Sequence, residues 1–448
     1  MRLHVHLRVF AGAMVLSSLA LTAFEVVGER GLPYVVEYSS ELDFTNFAIH
    51  QNVPIIFKNL PLQEWKAFTW NSSYLKARLG QAESRNILVK AQEEDPLFTL
   101  MNPEKKWTQA PAAKYTLKNI STDSFLDAVF AAEESAEYVY FAGEAPSLLQ
   151  NDISNELLKV DHVPSRKSHS ILWIGNKGVT AQTHYDISYN FFTQLHGQKT
   201  FYLQPPQRGW QHLRLYPSSH PARRQAQVPF RKEDPGWIVA TLDPMDVLFV
   251  PPFWFHAVES DTGSISLSTV SPSRVEAMWS ENVLYRKIHF HSLEVGVDRV
   301  LGVRIFIEAL LHILGEPDTP RFMQKFFSSR FDKLSSNPSS LLRVFESDTV
   351  GESVEHMFDC NDQESLVRVA KLLAQQGSIG EIASSVAVYI ISNKEFDNEG
   401  VRSLLLHDYF EEMLMFAVGG NGNDVAAAID RCWRTEHMLE ELGKGSLS

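Results

Sequence analysis

Short runs of aromatic and β-branched residues dominate the middle of the chain, between residues 168 and 271. Gly, Pro and Asn separate these runs, which read HSILWIG, YNFFTQL, KTFYLQP, GWIVATL, DVLFVPP and SISLSTVS. Alternation with a period of two places every second side chain on one face of a strand. The pattern therefore predicts an antiparallel β-sandwich or barrel over this region.

The patterns on either side of this region differ from it. Upstream, strand-like runs such as VPIIFKNL and YVYFAG are mixed with stretches of helical spacing such as TDSFLDAVFAAEES. Downstream, apolar residues recur at helical spacing in VDRVLGVRIFIEALLHILGE, SLVRVAKLLAQQ and VRSLLLHDYFEEMLMFAVGG. The chain is thus predicted to be an α+β protein with an N-terminal α/β support region (24–160), a β core (161–274) and a helical C-terminal region (275–448).

The N-terminus predicts a targeting segment. Arg2 and Arg8 form a basic start, and the following residues up to Phe24 carry no charge. This uncharged stretch is short for a spanning helix, and the small residues of SLALTA suit cleavage. We expect a signal peptide over residues 1–23 and a location in the secretory pathway, either the endoplasmic reticulum lumen or outside the cell. The alternative is an uncleaved signal anchor in a membrane.

Composition narrows the class of partner. The chain has 41 Lys and Arg against 54 Asp and Glu, which gives a net charge of -13. This sign disfavours a protein that binds nucleic acid by neutralising phosphates. Only two cysteines exist, Cys360 and Cys432, so no disulfide framework holds the fold, and the sequence leaves open whether the two pair.

Three residues of the β core form a candidate metal site. His184 and Asp186 in THYDISYNFF lie two apart and would share one face of a strand. An isolated pair of this kind is usually just solvated. His256, however, ends the apolar run DVLFVPPFWFH, where an unpaired imidazole would be costly. Two histidines and one carboxylate form the facial triad that suits non-haem Fe(II) and leaves coordination positions open.

Lys199 is a candidate anion-binding residue. It begins the run KTFYLQPP, and alternation with Phe201 and Leu203 would turn it inward, which is unfavourable unless it meets an anion. A lysine that extends to solvent from a strand edge is the alternative. His196 and Gly197 predict a hairpin turn, which would pair the strand of Lys199 with the preceding strand.

Four segments together resemble a known family. LWIG, THYDISYNFFTQLHGQKTFYLQPP, RLYPSSHPARRQAQV and DVLFVPPFWFHAVES are similar to the JmjC hydroxylases of the cupin-8 type. Within that family the sequence most resembles the asparaginyl hydroxylase that inhibits hypoxia-inducible factor. The likeness is strong over 168–271, weak over 35–167 and absent from the helical region. It implies a double-stranded β-helix, the jelly-roll core of cupin and JmjC proteins.

The resemblance also implies cofactors, which are Fe(II), 2-oxoglutarate and O2. By likeness, the metal ligands and catalytic residues are His184, Asp186 and His256. Residues expected to bind 2-oxoglutarate are Lys199 and Tyr140 at its distal carboxylate and Asn190 beside its metal-chelating end. The loop HPARRQAQV would present Arg224 and Gln225 to a polypeptide substrate. Candidate walls of the pocket are Phe191, Phe192, Phe201, Trp254 and Phe255.

The sequence departs from the family pattern at three places. Ala181 stands where the relative has a threonine that contacts the cosubstrate, although Thr180 or Thr183 could substitute for it. Met245 stands where a glycine usually precedes the aspartate of the second ligand strand. An asparagine late in the last core strand is replaced within STVS. None of these changes removes a metal ligand.

The leading hypothesis is a 2-oxoglutarate- and Fe(II)-dependent dioxygenase that hydroxylates a protein side chain. A catalytically silent cupin that serves as a binding or assembly module is the alternative from another class. A demethylase of methylated lysine and a metal-dependent cupin enzyme without 2-oxoglutarate are lesser alternatives. Because relatives dimerise through C-terminal helices, a homodimer formed by these helices is also expected.

Overall fold

The structure is a computed structural model. It describes residues 33–79, 84–102, 114–131, 135–160, 163, 166–284, 293, 297–316, 319–331, 363–375, 379–418, 425 and 428. The predicted signal peptide, Cys360 and Cys432 lie outside these residues. Within these ranges, no helix has both the length and the apolar character that crossing a bilayer requires.

Fourteen strands are present in the described residues. They are β1 (Tyr34–Glu37), β2 (Ile55–Lys58), β3 (Ser84–Ala91), β4 (Leu97–Phe98), β5 (Thr116–Ser121), β6 (Glu137–Glu144), β7 (His169–Gly175), β8 (Thr180–Tyr185), β9 (Tyr189–His196), β10 (Lys199–Gln204), β11 (Ile238–Leu242), β12 (Val247–Val250), β13 (Phe255–Ser260) and β14 (Ser264–Ser271).

Eleven α-helices are present in the described residues. They are α1 (Phe44–Gln51), α2 (Ser72–Leu79), α3 (Thr122–Val129), α4 (Ser147–Gln150), α5 (Pro206–His212), α6 (Arg274–Trp279), α7 (Val297–Ile313), α8 (Thr319–Arg330), α9 (Gln363–Gln375), α10 (Ile379–Ile391) and α11 (Glu399–Ala417). Asp43 caps α1 and Asn398 caps α11, each by accepting a backbone N–H bond in the first turn of its helix.

The strands form two sheets. The larger has the order β1-β2-β12-β9-β14-β7-β6-β3-β5, and the smaller has the order β11-β10-β13-β8-β4. Of the last eight strands in the chain, β7, β9, β12 and β14 lie in the larger sheet and the other four in the smaller. This arrangement is the predicted double-stranded β-helix, and the fold prediction is confirmed. The support strands extend the larger sheet at both of its ends.

The prediction of a hairpin between β9 and β10 is wrong. The neighbours of β9 are β12 and β14, whereas those of β10 are β11 and β13. The chain changes sheets at Gly197, whose φ of 69° is left-handed. The two strands therefore face each other across the barrel rather than sharing backbone hydrogen bonds. The rings of Phe192 and Phe201 meet there, with centroids 4.7 Å apart.

Alternation along β9 separates an inner from an outer face. Phe192 faces the smaller sheet, whereas Phe191 points the other way and packs against Phe249 of β12 and Phe44 of α1. Phe191 is therefore part of the hydrophobic core outside the barrel, and its prediction as a wall of the pocket is wrong. A shift of one residue along a strand moves the side chain to the opposite face.

The chain divides into two compact units. The first comprises the described residues of Met1–Leu100, Ala113–Gly209 and Pro229–Ala277, and contains both sheets. The second comprises those of Met101–Ala112, Trp210–Val228 and Met278–Ser448. Residues 210–228, which fall inside the β core predicted over 161–274, thus belong with the helices of the second unit.

A buried carboxylate holds this segment within the second unit. Glu411 of α11 accepts hydrogen bonds from the backbone N–H groups of Ser218 and Ser219, at 2.9 and 2.7 Å. The guanidinium of Arg330, in α8, lies 3.2 Å from the same carboxylate. Because both Glu411 and Arg330 are almost fully buried, each charge depends on its partners for stabilisation.

Candidate metal centre and its surroundings

His184, Asp186 and His256 converge at one end of the smaller sheet. His184 lies near the end of β8, Asp186 lies in the turn that follows, and His256 is the second residue of β13. The two histidines are direct cross-strand partners, with ring centroids 4.1 Å apart. His256 Nε2 lies 3.9 Å from Asp186 Oδ2, and one ligand atom from each residue lies within 4.8 Å of the others.

A bulge in β8 adjusts which side chains share this face. His184 pairs with His256 and Ala181 pairs with Val258, so two residues of β8, Gln182 and Thr183, oppose the single residue Ala257 of β13. Because Val258 and His256 lie on the same face of β13, Ala181 faces the same side as His184 although they are three residues apart. The methyl group of Ala181 thus stands in the barrel interior.

Backbone carbonyls fix the orientation of both imidazoles. His184 Nδ1 lies 2.7 Å from the carbonyl oxygen of Gln182, and His256 Nδ1 lies 3.0 Å from that of Trp254. A carbonyl only accepts, so Nδ1 carries the proton in each neutral ring and leaves Nε2 for a metal. Burial, and then the neighbouring His184, lower the pKa of His256 to about 4. This ring is therefore neutral, as a ligand must be, at physiological pH.

Lys199 lies inside the barrel, as its alternation predicts. It is 2% exposed, and its Nζ lies 5.5 Å from the ring centroid of Phe192. Phe201, two residues along β10, contacts Phe192 and stacks on the His256 ring with a centroid distance of 6.1 Å. Lys199, Phe201 and His256 thus face the same interior.

In the part of the chain that the structure describes, the Lys199 ammonium has an aromatic neighbour rather than an anionic one. Among the described residues, no carboxylate forms an ion pair with its ammonium group. Burial lowers the pKa of Lys199 from 10.5 to about 7. Lys90, the other deeply buried lysine of this unit, instead binds the Asp95 carboxylate at 2.7 Å and two backbone carbonyls. Both lysines thus lie beside an aromatic ring, but within the described residues only Lys90 also binds a carboxylate.

Asn190 is a second polar group in the interior. It lies on the same face of β9 as Phe192, is 6% exposed, and stands opposite Val270 of β14. Its Oδ1 accepts no hydrogen bond from the described residues. An amide oxygen buried in this way is available to an incoming donor or cation.

Tyr140 of β6 also faces the interior, in an aromatic cluster. Its ring stacks on Trp173 with centroids 6.0 Å apart and packs against Phe98 at 5.5 Å. Burial raises the pKa of Tyr140 above its usual range, so its hydroxyl stays protonated as a donor. Both a ligand contact and a purely structural role fit this environment.

Arg224 and Gln225 lie in the second unit. Arg224 has a left-handed φ of 63°, and its guanidinium lies 3.8 Å from the Asp408 carboxylate. Gln225 is 9% exposed, and its carbonyl accepts a hydrogen bond from the Tyr216 backbone. Contact of these two residues with a substrate stays a prediction.

The departures from the family pattern have structural consequences. The Thr180 hydroxyl donates to the carbonyl of Gly178 at 2.9 Å, so it is already engaged and does not substitute at Ala181. Met245 adopts a left-handed φ of 76°, a conformation that favours glycine over residues with a side chain. The sequence therefore carries backbone strain at this turn.

Two further residues near the site were missed by sequence reasoning. Ser273 and Glu276 flank the first turn of α6 and hydrogen-bond to the turn that carries Asp186. The signal was present as SRVE, the Ser-x-x-Glu pattern of a helix N-terminus. That pattern predicts a cap but does not show which distant loop the helix contacts.

Comparisons with known proteins agree with this architecture. Residues 41–270 match the cupin-like domain. HSPB1-associated protein 1 of Homo sapiens is 28% identical over 54% of this chain and 51% of its own length. Its homolog in Danio rerio is 27% identical over 48% and 51%. The tRNA wybutosine-synthesizing protein 4 of Aspergillus oryzae is 24% identical over 44% of this chain and 19% of its own.

These matches establish the family but not the finer resemblance. The chain spans about half the length of the HSPB1-associated proteins it matches. None of the three relatives described is the asparaginyl hydroxylase that the motifs resemble, so that likeness stays a prediction. The matched segment includes all three residues of the candidate metal site and the barrel strands β7 to β14, apart from Ser271 at the end of β14. With half of its residues in this match, the chain belongs to the cupin-like domain family.

Proposed function

We propose that this chain is a 2-oxoglutarate- and Fe(II)-dependent oxygenase that hydroxylates a side chain of a polypeptide. The observation that carries the proposal is the buried Lys199, which has no carboxylate partner among the described residues and shares an interior with a two-histidine, one-carboxylate cluster. A metal site alone does not require such a cation. A dianionic cosubstrate that chelates the metal does, because its far carboxylate needs a counter-charge.

The residues present fit both groups. His184 and His256 offer Nε2 atoms and Asp186 an exposed carboxylate, which together would hold Fe(II) on one face. Lys199 would pair with the distal carboxylate, and the orphaned Oδ1 of Asn190 would lie beside the chelating end. With O2, the bound cofactors supply oxidative decarboxylation of 2-oxoglutarate to succinate and CO2, and insertion of the second oxygen atom into a C–H bond.

The protein residues contribute placement and exclusion of water. Phe192 lies beside the Lys199 ammonium and Phe201 beside the His256 ring, so these aromatic side chains would surround the charge pair with a medium of low dielectric constant. Asp186 is more accessible than His256, since its side chain is 43% exposed and that of His256 is 3% exposed. A substrate would therefore approach from the side of Asp186.

A polypeptide is the favoured substrate class. The net charge of -13 disfavours nucleic acid, although one relative is named for the synthesis of a modified tRNA. The loop with Arg224 and Gln225 resembles one that presents such side chains to a bound chain. We also propose the secretory pathway as location, on the pattern of the N-terminus, and a homodimer as assembly, on the family resemblance.

A catalytically silent binding module is the second candidate. The inward methyl group of Ala181, at a position where a cosubstrate contact is expected, favours it. The name of the mammalian relative, HSPB1-associated protein 1, also describes an association. Under this hypothesis the barrel would keep its fold but would catalyse no reaction.

Succinate release distinguishes the two candidates. Purified full-length protein with Fe(II), ascorbate and 2-oxoglutarate should release succinate without substrate, and Asp186→Ala should abolish this activity. Asp127→Ala removes an exposed carboxylate in α3 and should leave it unchanged. Absence of both metal binding and turnover in the wild type would contradict the oxygenase and favour the module.

The role of the cosubstrate needs a separate variant. Lys199→Ala should raise the KM for 2-oxoglutarate by about tenfold or more, because a charge-assisted pair is lost. Lys177→Ala, at an exposed turn, is the matched control. Substrate oxidation that persists in Lys199→Ala without added 2-oxoglutarate would point instead to a metal enzyme that does not use this cosubstrate. Hydroxylation of a peptide library, read by mass spectrometry, would then identify the substrate.

A further inference from the structure

The metal ligand Asp186 lies outside the regular sheet. His184 and His256 are held in paired strands, but Asp186 follows the last residue of β8 and begins the short turn to β9 at Tyr189. Strand hydrogen bonds therefore do not fix its carboxylate. Since three ligands must meet one cation within about 0.5 Å of the productive geometry, other contacts have to set the position of this turn.

Each residue of the turn has such a contact. The Phe253 N–H donates to the Asp186 carbonyl at 2.6 Å. The Ser273 hydroxyl donates to the Ile187 carbonyl at 2.5 Å. The Ser188 hydroxyl donates to the Glu276 carboxylate at 2.8 Å. Two of the three contacts thus come from the start of α6.

The role of Glu276 is unusual for its position. Ser273 accepts the Glu276 backbone N–H at 3.0 Å, which is the first half of a capping box. The Glu276 side chain turns to other partners, accepting from Ser188 and from Arg166 at 2.5 Å. Its side chain is 14% exposed, so the charge-assisted bond to Ser188 is shielded from solvent.

We propose that Glu276 is the positioning residue of the metal centre, since it holds the Asp186 turn through Ser188. The inference rests on the metal cluster of the proposed function but not on its cosubstrate. Substitution of residues that orient metal ligands through hydrogen bonds typically lowers metal affinity by about 10- to 100-fold. The contact acts on the one ligand that the barrel strands leave unsupported.

Binding of Mn(II), followed by electron paramagnetic resonance of the unbound ion, tests the proposal on the full-length protein. Glu276→Ala and Ser188→Ala should each raise the dissociation constant about tenfold, and the double variant should lose no more than either single one. Glu276→Gln keeps an oxygen acceptor for Ser188 and should stay within about threefold of wild type.

Two control variants separate positioning from general stability. Arg166→Met removes the other partner of Glu276 and should leave Mn(II) affinity nearly unchanged while lowering the melting temperature. Glu156→Ala removes an exposed acid paired with Lys159 and should change neither. Where Glu276→Ala fails to fold, Ser188→Ala carries the test, because it removes a single oxygen atom.

Several outcomes would overturn the inference. One is Mn(II) affinity within twofold of wild type in both Glu276→Ala and Ser188→Ala. Another is a loss in Glu276→Ala that Ser188→Ala does not share. A wild type that binds no Mn(II) also overturns it. Wild-type protein that binds Mn(II) but releases no succinate contradicts only the oxygenase, while the ratio of affinities still decides the role of Glu276.

Discussion

The buried ammonium of Lys199 lowers the stability of the protein without its ligand. Its pKa is about 7 in the folded state and 10.5 in the unfolded chain. Below pH 7 both states are protonated, and the folded state bears the full unfavourable free energy of the buried charge. Between pH 7 and 10.5 the unfolded chain binds more protons than the folded one, so this destabilisation disappears as the pH rises.

A methionine at this position should therefore stabilise the protein. We expect Lys199→Met to raise the free energy of unfolding by about 2–5 kcal/mol at pH 6, and by less at pH 9, while it weakens 2-oxoglutarate binding. Urea unfolding of both proteins at both pH values gives the difference. A variant that is less stable than the wild type at pH 6 would show that the ammonium has a favourable partner in the folded state.

Met245 should be another site where substitution raises stability. Its φ of 76° destabilises a residue with a side chain by roughly 1–2 kcal/mol. A glycine would remove this strain, but the greater conformational entropy of the unfolded chain would offset about half of the stabilisation. The free energy of unfolding of Met245→Gly should therefore be about 1 kcal/mol higher than that of Met245→Ala, which keeps the strain. Urea unfolding of the two variants measures this difference. Equal stability of the two would mean that the left-handed backbone stores no strain here.

At the level of elements, local pattern predicted the strands but not their partners. HSILWIG and SISLSTVS coincide with β7 and β14, because runs of β-branched and aromatic residues indicate strands from local sequence. The switch between sheets at Gly197 and the bulge in β8 depend on residues distant in sequence, and so does the contact of Glu276 with Ser188. The three residues of the candidate metal site could be predicted because their residue types indicate chemistry, whereas the types of Ser188 and Glu276 do not indicate a contact with this site.

Gly197 lies between β9 and β10, where the chain passes from the larger sheet to the smaller one, and this position requires a glycine. A Cβ at this position would lie 2.2 Å from the Gly263 carbonyl oxygen, in addition to the strain of a left-handed φ. Gly197→Ala should reduce the free energy of unfolding by more than about 2 kcal/mol. Gly315→Ala is the matched control, because Gly315 has a similar φ of 78° but open space around it, and should lose only about 1 kcal/mol. Similar losses in both would show that backbone strain, rather than the close approach, sets the requirement.

At the scale of the whole molecule, net charge works against the proposed cosubstrate. A chain of charge -13 does not attract a dianion, so the attraction must come from one local cation. Since Lys199 has a pKa of about 7 without ligand, it is mostly neutral at pH 8. A bound carboxylate would restore its charge. Cosubstrate binding is therefore expected to be coupled to proton uptake.

This coupling is measurable by anaerobic calorimetry with Mn(II) in place of Fe(II). Binding of 2-oxoglutarate at pH 8 should take up roughly 0.9 proton per site, and at pH 6 roughly 0.1, from the titration of a group with a pKa of about 7. Titration in two buffers of different ionisation enthalpy gives the number at each pH. His256 should not contribute, because its pKa of about 4 leaves it neutral at both values. Uptake that stays the same between pH 6 and 8 would mean that a group other than Lys199 meets the distal carboxylate.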